Sequence, residues 1–223
     1  MQERVPVIES PNAAVSRLTH DRILQAASEL IATEGFRGLS MRKVGDRLGC
    51  AAMSLYRYFT TKEELLTALA DGFIAEIELP DPGLEWNARI TDYFVKVERL
   101  FRRHPELAEI AARQHLNSMS AFRGVEMVVG ALREAGLDSE QAVSAWYALT
   151  FFTAGFAQRR ATEQAERDRD GGRRRRIRAL PRDEFVHFHQ IAPMYTRGLS
   201  DQDFKSALHV VLAGVSTIGK KAR

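Results

Sequence analysis

Apolar residues recur at helical spacing through residues 18–79 and predict four successive helices. The apolar face of the first helix returns every three or four residues and consists of Ile23, Leu24, Ala27, Leu30 and Ile31. Ser40 is predicted to cap the second helix, and Gly35 and Gly49 are predicted to end the first and second helices. Thr61-Lys62-Glu63-Glu64 has the form of a capping box and predicts the start of a fourth helix.

The third predicted helix runs from Ala51 to about Arg57 and is too short to be stable alone. Leu55 and Phe59 are expected to anchor it to the neighbouring helices. Helix, turn and short helix together predict a helix-turn-helix arrangement. Six side chains are expected to face outward. The small ones are expected to enter the major groove, and the tyrosines and the lysine are expected to contact phosphates. These residues are Ala52, Met53, Ser54, Tyr56, Tyr58 and Lys62.

Residues 80–223 keep a helical pattern without obvious strands, which predicts an all-α fold. We assign residues 1–17 to a flexible extension, residues 18–79 to a helix-turn-helix DNA-binding domain and residues 80–223 to a second helical domain. The arginine-rich stretch 161–181 is predicted to be a flexible loop, because it has almost no apolar residues. The helices expected in the second domain are Leu84–His104, Glu106–Leu116, Ser118–Ala135, Asp138–Arg160, Arg182–Arg197 and Ser200–Lys220.

Composition narrows the class of protein. Hydrophobic residues make up 45% of the 223 residues and charged residues 27%, which is typical of a globular chain. No apolar run reaches the roughly 18–20 residues that cross a bilayer, and residues 1–17 lack the apolar core of a secretory leader. A single cysteine, Cys50, suits a reducing compartment, so we expect a cytoplasmic protein without membrane contact.

The net charge of +3 is unevenly distributed along the chain. Residues 159–182 hold ten arginines against four acidic residues, so the rest of the chain is net negative. Residues 37–62 are the second positive region, with six basic residues against Asp46 alone. Because this region contains the predicted helix-turn-helix, its excess of positive charge is the electrostatic footprint expected for nucleic acid.

The segment LSMRKVGDRLGCAAMSLYRYFTTKEELLTAL, residues 39–69, resembles the DNA-binding region of the tetracycline-repressor (TetR) family of bacterial transcriptional regulators. The resemblance extends from about Leu18 to Ile77, and its most specific part is LYRYFTTKEELL. It implies an all-α homodimer that binds a palindromic operator in double-stranded DNA. It also implies that residues 80–223 are a ligand-binding and dimerisation domain. A small-molecule effector that enters this domain is then expected to release the operator and so to relieve repression.

The resemblance also implies roles for individual residues. Arg42 matches a base-reading arginine, and Ala52 stands where the tetracycline repressor has a glutamine that pairs with adenine, so the operator is expected to differ. The DNA-binding set is Arg42, Lys43, Ala52, Met53, Ser54, Tyr56, Tyr58 and Lys62, of which Tyr56, Tyr58 and Lys62 are assigned to phosphates.

The second domain has more aromatic residues than one core requires, although core packing is the alternative for each of them. We expect a mainly apolar, aromatic or polycyclic effector, because no buried arginine for an anionic one can be placed from sequence. The residues assigned to effector binding are Tyr93, Val97, Phe101, His115, Asn117 and Trp146. His115 aligns roughly with a magnesium-binding histidine of the tetracycline repressor, but the histidines lack metal-ligand spacing. No metal and no cofactor are predicted.

No nucleophile–base set, phosphate-binding glycine loop or paired-carboxylate motif is visible, so we expect no catalytic residues and no enzyme. The homodimer is expected to form through the helices Ser139–Phe156 and Ser200–Lys220, with Leu208 and Val211 at the interface. The alternative is an architectural DNA-binding protein without an effector. A third hypothesis is an all-α enzyme in which the helix-turn-helix is incidental.

Overall fold

The computed structural model describes residues 18–105, 107–108, 118–167 and 172–221. The side chains of residues 36–37, 164–167, 172–174 and 220–221 are outside this description. Three of the sequence predictions fall outside it as well: the extension 1–17, most of the helix expected at Glu106–Leu116, and the assigned effector residues His115 and Asn117. All regular secondary structure in the described part is helical, in agreement with the predicted all-α fold.

The chain divides into two compact units, Met1–Leu65 and Leu66–Arg223. The first unit contains α1 (His20–Gly38), α2 (Met41–Leu48), α3 (Ala52–Leu55) and the start of α4 (Lys62–Ala75). The boundary predicted at residue 79 places all of α4 in the first domain, whereas the compact units divide this helix after its first turn. Helix α4 is therefore common to both units.

The core of the first unit forms from the residues that the apolar pattern selects. Leu55 and Phe59, the expected anchors of the short third helix, are both buried, which confirms that prediction. Other fully buried members of this core are Ile23, Ala27, Leu39, Val44 and Leu65. Helix α3 has only four residues, so the expected Ala51–Arg57 helix is shorter than predicted, and Tyr56–Tyr58 form a turn at its C-terminal end. Burial of Leu55 and Phe59 thus supplies the stability that so short a helix lacks.

The second unit contains the remaining helices: α5 (Trp86–Arg103), α6 (Met119–Glu134), α7 (Ser139–Arg167), α8 (Gly172–Arg178), α9 (Val186–Arg197) and α10 (Asp201–Lys221). Helix α5 packs against α6, α7 and α10. Its fully buried Ile90 and Phe94 join Leu132, Leu149 and Phe204 in the core. The central position of α5 follows from an apolar face that is wide enough to contact three neighbours.

Most of the described part of the arginine-rich stretch 161–181 is helical and not the loop that the sequence predicts. Helix α7 continues through residue 167, and α8 covers Gly172–Arg178. The segment Ala161–Arg167 lacks large apolar residues but is rich in Ala, Gln, Glu and Arg, which favour helix without burial. An ion pair of 3.0 Å between Arg159 and Glu163, four residues apart, adds support at the start of this segment.

A network of charged side chains joins three helices of the second unit. Glu98 of α5 is only 2% exposed, and its carboxylate accepts a 3.1 Å hydrogen bond from Nη1 of Arg160 on α7. Arg160 also donates from Nη2 to Asp201 at the start of α10, and Arg102 of α5 donates to the same carboxylate. The hydrogen bond from Arg160 and the positive charges around Asp201 hold the pKa of this carboxyl below its usual value.

We predict that Arg160→Ala lowers the free energy of unfolding by about 3–5 kcal/mol, because it leaves the buried charge of Glu98 without its partner. The adjacent variant Arg159→Ala is the matched control, since it removes a pair between neighbouring turns of one helix whose arginine is 44% exposed, and it should cost no more than about 0.5 kcal/mol. Urea unfolding followed by circular dichroism measures both values. Equal, small losses would show that the network contributes no more than a surface ion pair.

Candidate nucleic-acid interface

The turn between α2 and α3 is held by backbone geometry. Ser40 caps α2, accepting a hydrogen bond from the backbone N–H of Lys43 at 3.3 Å. Gly49 ends α2 in the left-handed conformation, with φ of 68°, which a residue without a side chain adopts at little cost. These contacts confirm Ser40 and Gly49 as the predicted boundaries of α2.

Gly45 allows α2 to approach the start of α3 closely. Its carbonyl accepts a 3.0 Å hydrogen bond from the N–H of Cys50. A Cβ atom at position 45 would lie 2.7 Å from the carbonyl oxygen of Cys50 and 3.2 Å from the N–H nitrogen of Ala52. Because those are backbone atoms, they have no rotamer with which to move away. The angle between α2 and α3 therefore depends on a glycine that the apolar pattern did not single out.

Helix α3 presents a small, exposed surface. Met53 is 75% exposed, and Ala52 and Ser54 on either side of it are half-buried. Tyr56, in the turn that follows, is also exposed. A protruding methionine between an alanine and a serine gives a narrow ridge, of the kind that enters a major groove without collision.

The basic residues of α2 differ in how closely each is paired with a carboxylate of the protein. The Arg42 side chain is 89% exposed and lies 3.8 Å from Asp46 on the same helix, a long surface pair of little energetic value. Lys43 forms a close ion pair with Glu34, and Arg47 is held by Glu29 at 2.9 Å. Within this basic region, Arg42 is thus more weakly held than Lys43 or Arg47.

The predicted capping box at the start of α4 is present with one change of partner. The Thr61 hydroxyl accepts a 3.0 Å hydrogen bond from the N–H of Glu64. The Glu64 carboxylate accepts from the hydroxyl and N–H of Thr60, one residue before the expected position. These bonds hold the pKa of Glu64 below its usual value. These bonds stabilise the first turn of α4, in which Lys62 is half-buried.

Tyr58 differs from the expectation that it faces outward. Its side chain is half-buried, and its hydroxyl donates a 2.6 Å hydrogen bond to the carbonyl of Leu18, just before α1. The ring also contacts His20 edge-on, with centroids 5.1 Å apart. A partner 40 residues away in sequence gives no local signal, so the pattern of the LYRYF segment alone could not distinguish Tyr58 from Tyr56.

In the second unit, the assigned effector residues that are described lie in a packed interior. Tyr93, Val97 and Phe101 are buried on α5, and Trp146 of α7 is half-buried, 6.0 Å from the ring of Phe94. Burial raises the pKa of Tyr93 to about 12. Gly124 of α6 accommodates this tyrosine, since a Cβ there would lie 2.2 Å from the Tyr93 hydroxyl.

Two open grooves are present elsewhere in the second unit. One, of about 400 Å³, lies along α5 between Asn87 and Arg99 and includes Lys205. The other, of about 230 Å³, lies between the end of α4 and the second half of α5. Neither groove is lined by a residue assigned to effector binding. Two of those assigned residues, His115 and Asn117, fall outside the described residues.

The second unit contains a buried arginine that was not expected from the sequence. Arg89 of α5 is buried and forms a close ion pair with Glu134 of α6. Its Nε lies away from solvent without a hydrogen-bond acceptor in the described part of the chain. The burial of Arg89 could not be predicted from its neighbours, because it stands one residue before Ile90 in an otherwise ordinary amphipathic helix.

The described residues contain no group of three or more His, Cys, Asp or Glu side chains arranged to hold a metal ion. Across the same residues, no helix has both the length and the apolar character that a membrane span requires.

Family models match most of the chain. Residues 23–69 match the model described as "Bacterial regulatory proteins, tetR family", and residues 79–218 match "Tetracyclin repressor-like, C-terminal domain". The first match contains the helix-turn-helix and the start of α4. The second match contains α5 to α9 and nearly all of α10.

Two curated relatives are similar over part of their length. An "HTH-type transcriptional regulator" of Saccharopolyspora erythraea is 34% identical over 62% of this chain. The "HTH-type transcriptional repressor DrrR1" of Streptomyces coeruleorubidus is 35% identical over 69% of this chain. The matched regions span 59% and 58% of these relatives, respectively.

Solved structures of ActR from Streptomyces coelicolor are similar over nearly the whole chain. The apo form is 27% identical and superposes with a TM-score of 0.81, covering 94% of this chain and all of that one. The complex with actinorhodin is 28% identical, with a TM-score of 0.77, and covers 90% of this chain and 97% of that one.

Proposed function

The chain belongs to the tetracycline-repressor family of bacterial transcriptional regulators, and from that premise we propose that it is a homodimeric repressor that a small-molecule effector releases from a palindromic operator. The observation that carries the proposal is the exposed ridge of α3 beside the fixed first turn of α4. A groove-reading element and a phosphate-binding cation lie within a few residues of each other, as sequence-specific DNA binding requires.

Base reading is assigned to α3 and Arg42. Ala52 and Met53 offer apolar surface to thymine methyl groups, and the Ser54 hydroxyl both donates and accepts hydrogen bonds. Arg42 is well suited to a guanine, because it gives up only a 3.8 Å surface contact with Asp46 on leaving it. Two donors of its guanidinium match the O6 and N7 atoms of that base.

Phosphate binding is assigned to Tyr56 and Lys62, with a smaller part for Lys43. The exposed hydroxyl of Tyr56 donates to phosphate oxygens, and Lys62 stands at the positive end of the α4 dipole. Lys43 must first release Glu34, so part of its attraction to phosphate is offset by the lost ion pair. Such contacts position the protein on DNA and carry no sequence information.

The dimer interface is assigned to an exposed apolar stripe on α7 and α10. On α7 the stripe contains Val143, Tyr147 and Phe151, and on α10 it contains Val210 and Ile218. Gly155 and Gly214 leave open space beside it, so a second copy can approach closely. Pairing two such stripes around a two-fold axis makes a four-helix bundle.

One of the two residues expected at the dimer interface lies in the protein core instead. Leu208 is 0% exposed and belongs to the core of its own unit, and Val211 is half-buried. Val210, at 71% exposed, is the more prominent apolar residue of α10. The error is one of helix face: adjacent residues point about 100° apart, and a wide apolar stripe does not reveal which edge is covered within the chain.

Release by an effector is supported by two contacts of α4 with residues at either end of the stretch 105–117. The ring of Phe73 lies 4.5 Å from that of His104, at the end of α5. The hydroxyl and N–H of Ser118, the N-cap of α6, donate to the Asp71 carboxylate. The assigned ligand-binding residues His115 and Asn117 lie between His104 and Ser118 in the sequence. A ligand that displaces His104 or Ser118 therefore also acts on α4 through these contacts.

The energetic requirement for release is modest. A hundredfold loss of operator affinity needs a ligand that favours the non-binding arrangement by about 2.7 kcal/mol. ActR has been solved with actinorhodin bound, so a protein of this fold accommodates an organic ligand. The packing of Tyr93, Val97 and Phe101 is the observation that favours the alternative, an architectural DNA-binding protein without an effector.

We predict that Lys62→Ala and Tyr56→Phe weaken binding to operator and to unrelated DNA by similar factors, whereas Arg42→Ala weakens operator binding selectively, by about 1–3 kcal/mol. The operator probe is the duplex that the wild-type protein enriches from random DNA, and the control is its scrambled sequence. Fluorescence anisotropy at one fixed salt concentration measures all pairs. Equal losses on both duplexes would make Arg42 a backbone contact.

We predict that Val210→Glu yields monomers, because it places a charge at the centre of the apolar stripe. Lys205→Glu is the matched control, since it introduces the same side chain on the same helix but beside the groove along α5. Sedimentation velocity distinguishes the two species. A dimer of wild-type strength for Val210→Glu would assign the interface to other residues.

We predict that aromatic compounds found to release operator DNA also change the fluorescence of Trp146. The variant Trp86→Phe isolates this signal, because the chain has only two tryptophans. His115→Ala or Asn117→Ala should weaken the same compounds, since these residues supply the polar anchors of the proposed pocket. Compounds that release DNA without altering Trp146 fluorescence would place the effector elsewhere.

A further inference from the structure

Helix α3 lacks the features that stabilise a helix from within. It has four residues, and its N-cap, Ala51, provides no side-chain hydrogen bond. At its N-terminal end the orientation is set by the close approach of Gly45 to the turn. The C-terminal end, where Leu55 and Phe59 are buried, needs an equivalent directional constraint, because apolar burial alone does not fix one orientation.

That constraint is a set of contacts between the end of α3 and the start of α1, which we name the Tyr58 latch; its residues are Leu18, His20, Tyr58 and Phe59. The Tyr58 hydroxyl donates to the Leu18 carbonyl at 2.6 Å, and Nε2 of His20 lies 3.2 Å from the Tyr58 carbonyl. Since a carbonyl only accepts, the His20 ring donates in that bond.

Aromatic packing completes the Tyr58 latch. The His20 ring meets Tyr58 at 78° and Phe59 at 70°, with centroids 5.1 and 5.2 Å apart. Edge-to-face contacts of this kind favour one relative orientation of the rings. Phe59 is itself buried, so the latch connects directly to the core of the first unit.

The hydrogen-bond chemistry of a phenol decides between a latch and a phosphate contact. A tyrosine hydroxyl has one hydrogen to donate, and in Tyr58 that hydrogen is directed at Leu18. Phosphate oxygens only accept, so Tyr58 contacts a phosphate only by leaving the latch. Tyr56, exposed and two residues away, has no such bond among the described contacts.

We propose that Tyr58 is a positioning residue: by binding Leu18 it fixes the C-terminal end of α3 against α1, and so sets the angle at which Ala52, Met53 and Ser54 meet the bases. The proposal rests on the DNA-binding function proposed above and assigns to one of its residues a different role. Phosphate binding then remains with Tyr56 and Lys62.

The test compares Tyr58→Phe with the matched control Tyr56→Phe. Each variant loses one hydroxyl and keeps its ring. The measured quantity is discrimination, the ratio of affinities for the duplex enriched by the wild-type protein and for its scrambled sequence. Binding is measured well below the unfolding midpoint of each variant, where a purely structural loss leaves discrimination unchanged. Tyr58→Phe is expected to lower discrimination about two- to tenfold, the range of one hydrogen bond, whereas Tyr56→Phe weakens both affinities and leaves their ratio unchanged.

His20→Phe provides a second, independent variant, because it keeps a ring against Tyr58 and Phe59 but removes the Nε2 hydrogen bond. It is expected to lower discrimination as well. In the double variant with Tyr58→Phe the loss should be smaller than the product of the single losses, as for residues of one network. If Tyr58→Phe does not fold, His20→Phe decides the question alone.

Three results would overturn the proposal: equal losses on both duplexes for Tyr58→Phe, no loss on either duplex, or full discrimination in His20→Phe. A wild-type protein that enriches no sequence from random DNA has a different meaning, because it contradicts the sequence-specific DNA binding proposed above. The two failures are therefore distinguishable by the first step of the experiment.

Discussion

The proposed DNA-reading surface depends on holding a four-residue helix in one orientation. Leu55 and Phe59 bury its inner side, and Gly45 lets α2 approach within backbone contact distance. So short a helix gains almost nothing from its own hydrogen bonds, and tertiary contacts therefore determine where its side chains point. This need explains why a tyrosine of the motif, Tyr58, binds protein rather than solvent.

The second unit meets a different constraint, which is the burial of charge. Glu98 and Arg89 lie inside it, and each is stabilised by a partner on another helix. Such pairs contribute little net stability, but loss of one partner is costly. They therefore favour one arrangement of α5 against α6, α7 and α10. A domain that changes shape on binding an effector needs two defined arrangements rather than a continuum.

Several features that depend on neighbours in sequence were predicted correctly, although the helical segment 161–167 was predicted as a loop. The anchors Leu55 and Phe59, the Ser40 cap and the Thr61 capping box follow from spacing alone. Features that depend on how helices cross were not. The partner of Tyr58 is 40 residues away, and the close pair of Lys43 with Glu34 joins two helices. The resemblance to the family covers the motif as a whole, but it did not indicate which side chains of the motif bind other parts of the protein.

The proposed function requires two copies of the chain to read a symmetric DNA sequence. The symmetry of the sequences that the full-length protein enriches from random DNA tests this requirement most directly. Two recognition helices related by a two-fold axis should enrich an inverted repeat whose half-site centres are one helical turn apart, about 34–36 Å. Enrichment of a single unrepeated site would contradict the dimeric arrangement. Uniform, salt-sensitive binding without any enrichment would contradict sequence reading altogether.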